Sequence, residues 1–408
     1  MAGKARILAL SLIFAAASSM AAEAVAAPPK AKEEKQAKAA SGFSFSAEAG
    51  LGYDSNVYKT PDSPYVDFAQ TGNPTVNPTQ KTGIFTPLEV DAEYLRPLSK
   101  KIDLIAEYKF DGDFYFDSAL ENADEYDHRL SLGPEFAFGK KDSAGTTLYT
   151  GVFAGYHKQI YYDRDDGASK ISGTTDISDR YTYSNRGVEF AYKNELNAFK
   201  YDVYGSFENR DYEDPAAVTQ YDHDYYALGA ALHYKIADPT RLTAGYRYSS
   251  RDYDERPSRD LNGNALTSNP RLEYTYHTFD VTVRQRVTED LVGYVDYTRE
   301  TRKDEFVGYN DYTLSKYRVR AIYTPAESLR LRLAASYWER DYKRAFAFDN
   351  PIAGEKKYDG IGLDAKGEYS HSEHLKFWAE VNYDDQSTTD KRYEYDRYQA
   401  MAGLRVEY

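Results

Sequence analysis

The chain has no cysteine, two tryptophans and three methionines in 408 residues. Without thiols there is no disulfide framework, thiolate zinc site, iron–sulfur cluster, cysteine nucleophile or lipid-bearing cysteine of a bacterial lipoprotein. Long apolar runs are missing as well. The mean hydropathy is −0.72, and no stretch reaches the roughly eighteen apolar residues of a membrane helix, although short alternating strands could still cross a membrane. A basic excess is the third absence. Asp and Glu number 65 against 51 Lys and Arg, a net charge of −14, which argues against nucleic acid as a partner because phosphate contacts need a basic surface. What the chain has in abundance is tyrosine: 41 residues, inside an aromatic share of 15% and beside a charged share of 28%.

The amino terminus reads as an export signal. Lys4 and Arg6 precede an apolar run from Ile7 to Ala17, and small residues follow, the order of a secretory signal peptide. Ala24-Val25-Ala26 supplies an A-x-A cleavage site. A cut after Ala26 is expected, since one residue later Pro28 would stand directly behind the scissile bond. The expected organisation is therefore a signal peptide over 1–26, a flexible periplasmic segment rich in Pro, Ala, Lys and Glu over 27–42, and one domain over 43–408.

That domain alternates with period two, as strands do when one face is apolar and the other polar. Leu329, Leu331, Leu333, Ala335 and Tyr337 alternate with Arg330, Arg332, Ala334 and Ser336, and Leu375, Phe377, Ala379, Val381 and Tyr383 with Lys376, Trp378, Glu380, Asn382 and Asp384. A helix would scatter these charges around its axis. Segments of this kind run through 43–54, 82–95, 101–114, 125–138, 146–162, 179–193, 199–211, 220–236, 241–254, 272–287, 290–303, 309–323, 329–344, 357–370, 374–386 and 391–408. A soluble β-sandwich shares the alternation. It has no reason, however, to alternate tight connections such as Ala237–Thr240 and Pro325–Ser328 with long ones such as Ser55–Lys81, Asp163–Ser178 and Glu255–Arg271. The expectation is an all-β fold: a transmembrane antiparallel up-and-down β-barrel of about sixteen strands, with fourteen to eighteen allowed by the spacing of strand ends. Tyrosine fits the same picture, its apolar ring and polar hydroxyl suiting the headgroup level at both ends of a barrel. One phrase recurs where strands leave the membrane: Arg210-Asp211-Tyr212, Arg251-Asp252-Tyr253 and Arg340-Asp341-Tyr342.

The last strand closes on Gly403, Val406 and Tyr408. This looks like the terminal signal that outer-membrane barrels present to the barrel assembly machinery, although Met401 stands at its usually polar first position. The opening Ala47-Glu48-Ala49-Gly50-Leu51-Gly52-Tyr53-Asp54-Ser55-Asn56-Val57-Tyr58-Lys59-Thr60-Pro61 resembles that of the beta-barrel porin 2 family. Tyr221-Asp222-His223-Asp224-Tyr225, with the hairpin through Tyr248 to Tyr253, is similar in character. The resemblance implies an outer-membrane barrel of Gram-negative bacteria associated with exopolysaccharide export.

If the apolar parity faces lipid, the other parity lines a lumen. A basic wall is then expected from Arg247, Arg284, Arg286, Arg318, Arg320, Arg330, Arg332 and Arg340, and an acidic wall from Glu89, Asp91, Glu93, Asp103, Glu107, Asp202 and Glu208. Facing walls would set a transverse field and guide anionic or hydroxyl-rich solutes; lumen charges that simply pair with one another are the competing reading. Catalytic and metal readings carry little weight. Asp222, His223 and Asp224 could form an acid–base cluster, His371 and His374 are three apart in a tight turn, and Asp163-Arg164-Asp165-Asp166-Gly167 starts like a calcium loop but has Thr174 where Glu is required. No catalytic residue, metal or cofactor is expected. The expected partners are outer-membrane lipid and lipopolysaccharide, the assembly machinery, and polysaccharide or small solutes, with no nucleic acid. Two functions follow: a porin-like outer-membrane channel, or a structural or adhesive barrel plugged by the long loop 55–81. A third is a surface hydrolase built on Asp222, His223 and Asp224.

Overall fold

The computed structural model describes residues 42–138, 145–172, 174–196, 198–213 and 221–408. The expected signal peptide and nearly all of the segment 27–42 lie outside the described residues. Among the described residues twenty strands occur in chain order: β1 (Gly42–Asp54), β2 (Tyr65–Val66), β3 (Thr75–Val76), β4 (Gly83–Pro97), β5 (Ile102–Tyr115), β6 (Glu125–Phe138), β7 (Thr146–Lys158), β8 (Ile171–Ser172), β9 (Thr175–Asp176) and β10 (Tyr183–Leu196). They continue as β11 (Phe199–Tyr212), β12 (His223–Ala237), β13 (Thr240–Pro257), β14 (Arg271–Arg286), β15 (Leu291–Asp304), β16 (Tyr312–Ala326), β17 (Leu329–Phe346), β18 (Glu355–Ser370), β19 (Leu375–Thr388) and β20 (Tyr395–Glu407). β2 pairs with β3 and β8 with β9 as small arms within connecting loops; the other sixteen form one closed antiparallel barrel in which each pairs with its neighbours in sequence and β1 pairs with both β4 and β20. Closure satisfies every strand edge, which a bilayer demands of any sheet that crosses it.

All sixteen expected strands are present. The largest shifts lie at the rim of the long loops and have a local cause. The segment expected to run to 162 leaves the wall after Lys158, because Tyr161 donates to the Ser178 carbonyl and Tyr162 bridges to Ser169 within the loop. The segments expected from 179 and 391 begin four residues later, after the 3-10 turns Ser178–Tyr181 and Lys391–Tyr393.

The outer face is the apolar parity. Leu132, Val152, Leu228, Val295, Val319 and Ile361 are all exposed around the wall, a band that only lipid can cover favourably. Exposed tyrosines flank it at both levels: Tyr94, Tyr323 and Tyr369 toward the tight turns, Tyr53, Tyr226, Tyr337 and Tyr398 toward the long loops. A closed sixteen-stranded barrel with such a band belongs in a bacterial outer membrane. The tight-turn rim is then periplasmic, and there the closing seam between β1 and β20 starts with Phe45 and Tyr408 exchanging backbone hydrogen bonds of 3.0 and 2.8 Å. The long loops stand at the cell surface.

Candidate functional site

Contacts between strands that are not neighbours can form only across the concave side, so they identify the lumen face. Lys366 on β18 reaches Glu48 on β1 at 2.7 Å, Arg129 on β6 reaches Glu189 on β10 at 2.6 Å, and Arg318 on β16 reaches Asp364 on β18 at 2.6 Å. With these positions facing inward, strand alternation carries Arg247, Arg284, Arg286, Arg320, Arg330, Arg332 and Arg340 to the same face on β13, β14, β16 and β17. The carboxylates Glu89, Asp91 and Glu93 line β4, and Asp103 and Glu107 line β5. In the strand order β5 and β15 lie half a circumference apart, so the carboxylates face the arginine-bearing strands across the lumen.

Neither wall is a bare row of charge. Arg320 forks onto Asp296 at 2.7 and 2.9 Å, Arg332 lies 3.9 Å from both Asp364 and Glu380, and Arg247 lies 4.0 Å from Glu300. Arg284 meets the Tyr294 hydroxyl at 3.4 Å. Among the described residues Arg286 and Arg330 make no ion pair. Asp202 and Glu208 stand apart from the other carboxylates, on β11, and are matched there by His233 at 3.1 Å and by Arg210. The expected acidic-wall residues that remain together are those of β4 and β5, and local pairing absorbs part of the expected separation.

The extracellular mouth is crossed by the loop joining β1 to β4. Its start is locked by the opening motif: Asp54, fully buried, accepts from both the Arg397 guanidinium at 3.0 Å and the Tyr115 hydroxyl at 2.7 Å. Asn56 donates to the carbonyls of Thr60 and Asp396, each at 2.9 Å, and accepts from the Thr60 amide at 2.8 Å. Val57 and Tyr58 then pack on Leu120 inside the mouth. Further on, the Tyr65 hydroxyl donates to Asp165 at 2.9 Å, and its ring packs with Phe348 at 6.1 Å. Asn350 donates to the Phe68 carbonyl at 2.7 Å. Asp165 belongs to the β7–β10 loop and Phe348 to the β17–β18 loop, so this strap is pinned from opposite sides of the barrel.

Charge within the strap is perturbed by its burial. Lys59, at a positive φ of 52°, has its ammonium pushed down to about 8, by burial first and then by repulsion from Arg397 and Arg164. Burial pushes Asp62 up to about 6, opposed by the Asp396 amide and assisted by the Asp396 carboxylate.

The low-weight motifs are otherwise occupied. His223 is sealed at 1% exposure, with Nδ1 on the Tyr221 carbonyl at 2.8 Å, while Asp222 and Asp224 serve the Tyr212 amide and Asn209; strand alternation also puts Asp224 on the opposite face from His223. His374 stacks on Tyr408 and His371 meets Phe377. In the calcium-like loop Asp163 is held by Lys170 and Asp165 by Tyr65.

Sequence reasoning missed Arg256, Arg302 and Arg397, which stand near the extracellular ends of their strands. Arg397 partners Asp54 of the opening motif, and Arg256 follows the second Arg-Asp-Tyr phrase by three positions, so proximity to those two signals could have found them. No pattern singles out Arg302.

No family model matches the chain, and no curated protein does. Several solved barrels are similar in outline. OmpT, an outer membrane protein of Vibrio cholerae, is 12% identical over 92% of this chain and 100% of its own, with a TM-score of 0.46. Salmonella typhi OmpF in complex with daunomycin is 13% identical over 90% and 97%, at 0.48. A bacterial polysaccharide outer membrane secretin is 8% identical over 89% and 97%, at 0.43. Likeness this distant carries no function across.

Proposed function

We propose that the chain is a porin-like, non-enzymatic channel of the outer membrane that passes anionic or hydroxyl-rich solutes and works alongside exopolysaccharide export. The observation that carries this reading is the lumen itself: arginines on β13, β14, β16 and β17 face carboxylates on β4 and β5 across a barrel wide enough for water. The export link rests on the opening motif and its resemblance to the porin 2 family. On the likeness of the last strand to the terminal signal of outer-membrane barrels, Gly403, Val406 and Tyr408 present that strand to the assembly machinery, and lipopolysaccharide surrounds the outer band. The decisive experiment is single-channel recording of the refolded barrel in a planar bilayer, with selectivity read from the reversal potential in a salt gradient. Stable open steps with anion preference are expected, and replacing Arg330 and Arg332 by Ser should reduce that preference; unchanged selectivity refutes their role. The strap pinned by Tyr65 favours a second reading, a plugged structural barrel. A folded barrel that stays silent selects it.

A further inference from the structure

Arg247, Arg318, Arg320 and Arg332 lie within ion-pair distance of carboxylates in the lumen, but three arginines at its extracellular end do not. Among the described residues Arg256, Arg302 and Arg340 have no carboxylate within ion-pair distance and lie instead on tyrosine rings. Arg302 sits over Tyr274 at 4.3 Å and Tyr312 at 4.4 Å, Arg340 over Tyr312 at 5.0 Å, and Arg256 over Tyr221 at 4.3 Å and Tyr253 at 5.4 Å. Tyr253 meets Tyr274 edge-on at 6.1 Å. The result is one arc of alternating guanidinium and phenol around the inner mouth from β13 to β17.

Neighbouring carboxylates are committed elsewhere: Glu300 accepts from Tyr312 at 2.7 Å and Thr278 at 3.1 Å, and Asp304 accepts from the Asp311-side turn through Asn310 at 3.3 Å. Arg302 spends two donors on the Asn310 carbonyl, at 3.0 and 2.8 Å, and the buried Nε of Arg340 has no hydrogen-bond partner. Like charges gathered without counter-anions cost free energy, which the π-faces offset only in part. A bound anion would supply the missing charge.

We propose that this arc is a binding subsite for an acidic polysaccharide whose sugars carry carboxylates. Guanidinium forks take carboxylates two-pronged, and tyrosine edges and faces suit the alternating polar and apolar surfaces of a sugar ring. The inference deepens the channel reading and rests on it.

The test uses the refolded full barrel in a planar bilayer with oligogalacturonate added at the surface side. Current block is expected where a neutral dextran oligomer of equal length gives none. Arg302→Gln and Arg340→Gln should each weaken it about tenfold, with the barrel still folded, and Arg302→Lys should not restore it. A conducting wild type that is not blocked, or block that survives both substitutions, overturns the inference and leaves the channel reading intact. Equal block by inorganic phosphate assigns the arc to phosphate-bearing headgroups and overturns the uronate assignment. If the barrel folds but does not conduct, the channel reading fails separately. The subsite is then judged by equilibrium dialysis of the oligomer: binding lost in the Gln variants upholds it, and no binding to wild type overturns it.

Discussion

At the residue scale, the firmest single contact is Asp54 with Arg397. It joins β1 to β20 next to the closing seam, and Tyr115 ties β5 into the same network. Both charges are almost wholly buried, so removing one leaves the other uncompensated in a poorly solvated place, which typically costs about 3–5 kcal/mol. Asp54→Asn should therefore lower the urea midpoint of unfolding in lipid vesicles by an amount of that order. A midpoint equal to wild type would show that water reaches Arg397. Nearer the middle of the seam, Gly50 and Gly403 lie opposite each other under the Trp378 ring. A Cβ on Gly403 would stand 2.1 Å from the Ala49 carbonyl oxygen, so Gly403→Val should cost about 1–3 kcal/mol by overpacking, read as a lower folded fraction on unheated gels. That is a steric reason for the glycine, independent of any role in assembly.

At the scale of elements, the strap explains why strands were legible in the sequence and loops were not. A wall strand carries one instruction per residue, in or out, so Leu329–Tyr337 and Leu375–Tyr383 announce themselves. The strap is held by contacts between residues far apart in sequence, Tyr65 with Asp165 and Phe68 with Asn350, and no local period records them. The same holds for the arc of Arg256, Arg302 and Arg340, which depends on tyrosines from neighbouring strands. Tyr65→Phe removes the hydroxyl bond to Asp165 and leaves the packing on Phe348; it should raise the frequency of large open steps in single-channel records, and an unchanged open fraction would show the strap held by packing alone. Asp62 adds a pH dependence. Its folded value near 6 is above its ordinary value, so docking of the strap is favoured where Asp62 is protonated in both states and weakens as pH rises from about 4 through about 6. Open fraction should rise over that window. Asp62→Asn should flatten the rise; an equally steep rise in the variant assigns the titration to another group.

At the scale of the whole molecule, the overall charge and the charge that a solute meets along one wall of the lumen are different quantities. The chain carries −14, which acting as a single body would draw cations toward the pore. The barrel, however, sorts its charges by strand, with carboxylates on β4 and β5 and arginines on β13, β14, β16 and β17. A solute inside the lumen responds to the wall it passes rather than to the sum over loops and rims, provided the walls lie within a screening length of its path. Screening shortens from about 10 Å at 0.1 M salt to about 3 Å at 1 M. Anion preference set by the arginine strands should therefore be strongest at low salt and fade toward 1 M, because pairs such as Arg320 with Asp296 are already neutralised and only incompletely paired arginines such as Arg330 and Arg332 act at a distance. Reversal potentials across a tenfold salt gradient, repeated at rising mean concentration, would trace that decline. Cation preference at low salt would mean that the acidic total outweighs the arginine strands, and the direction assigned to the lumen field would have to be reversed.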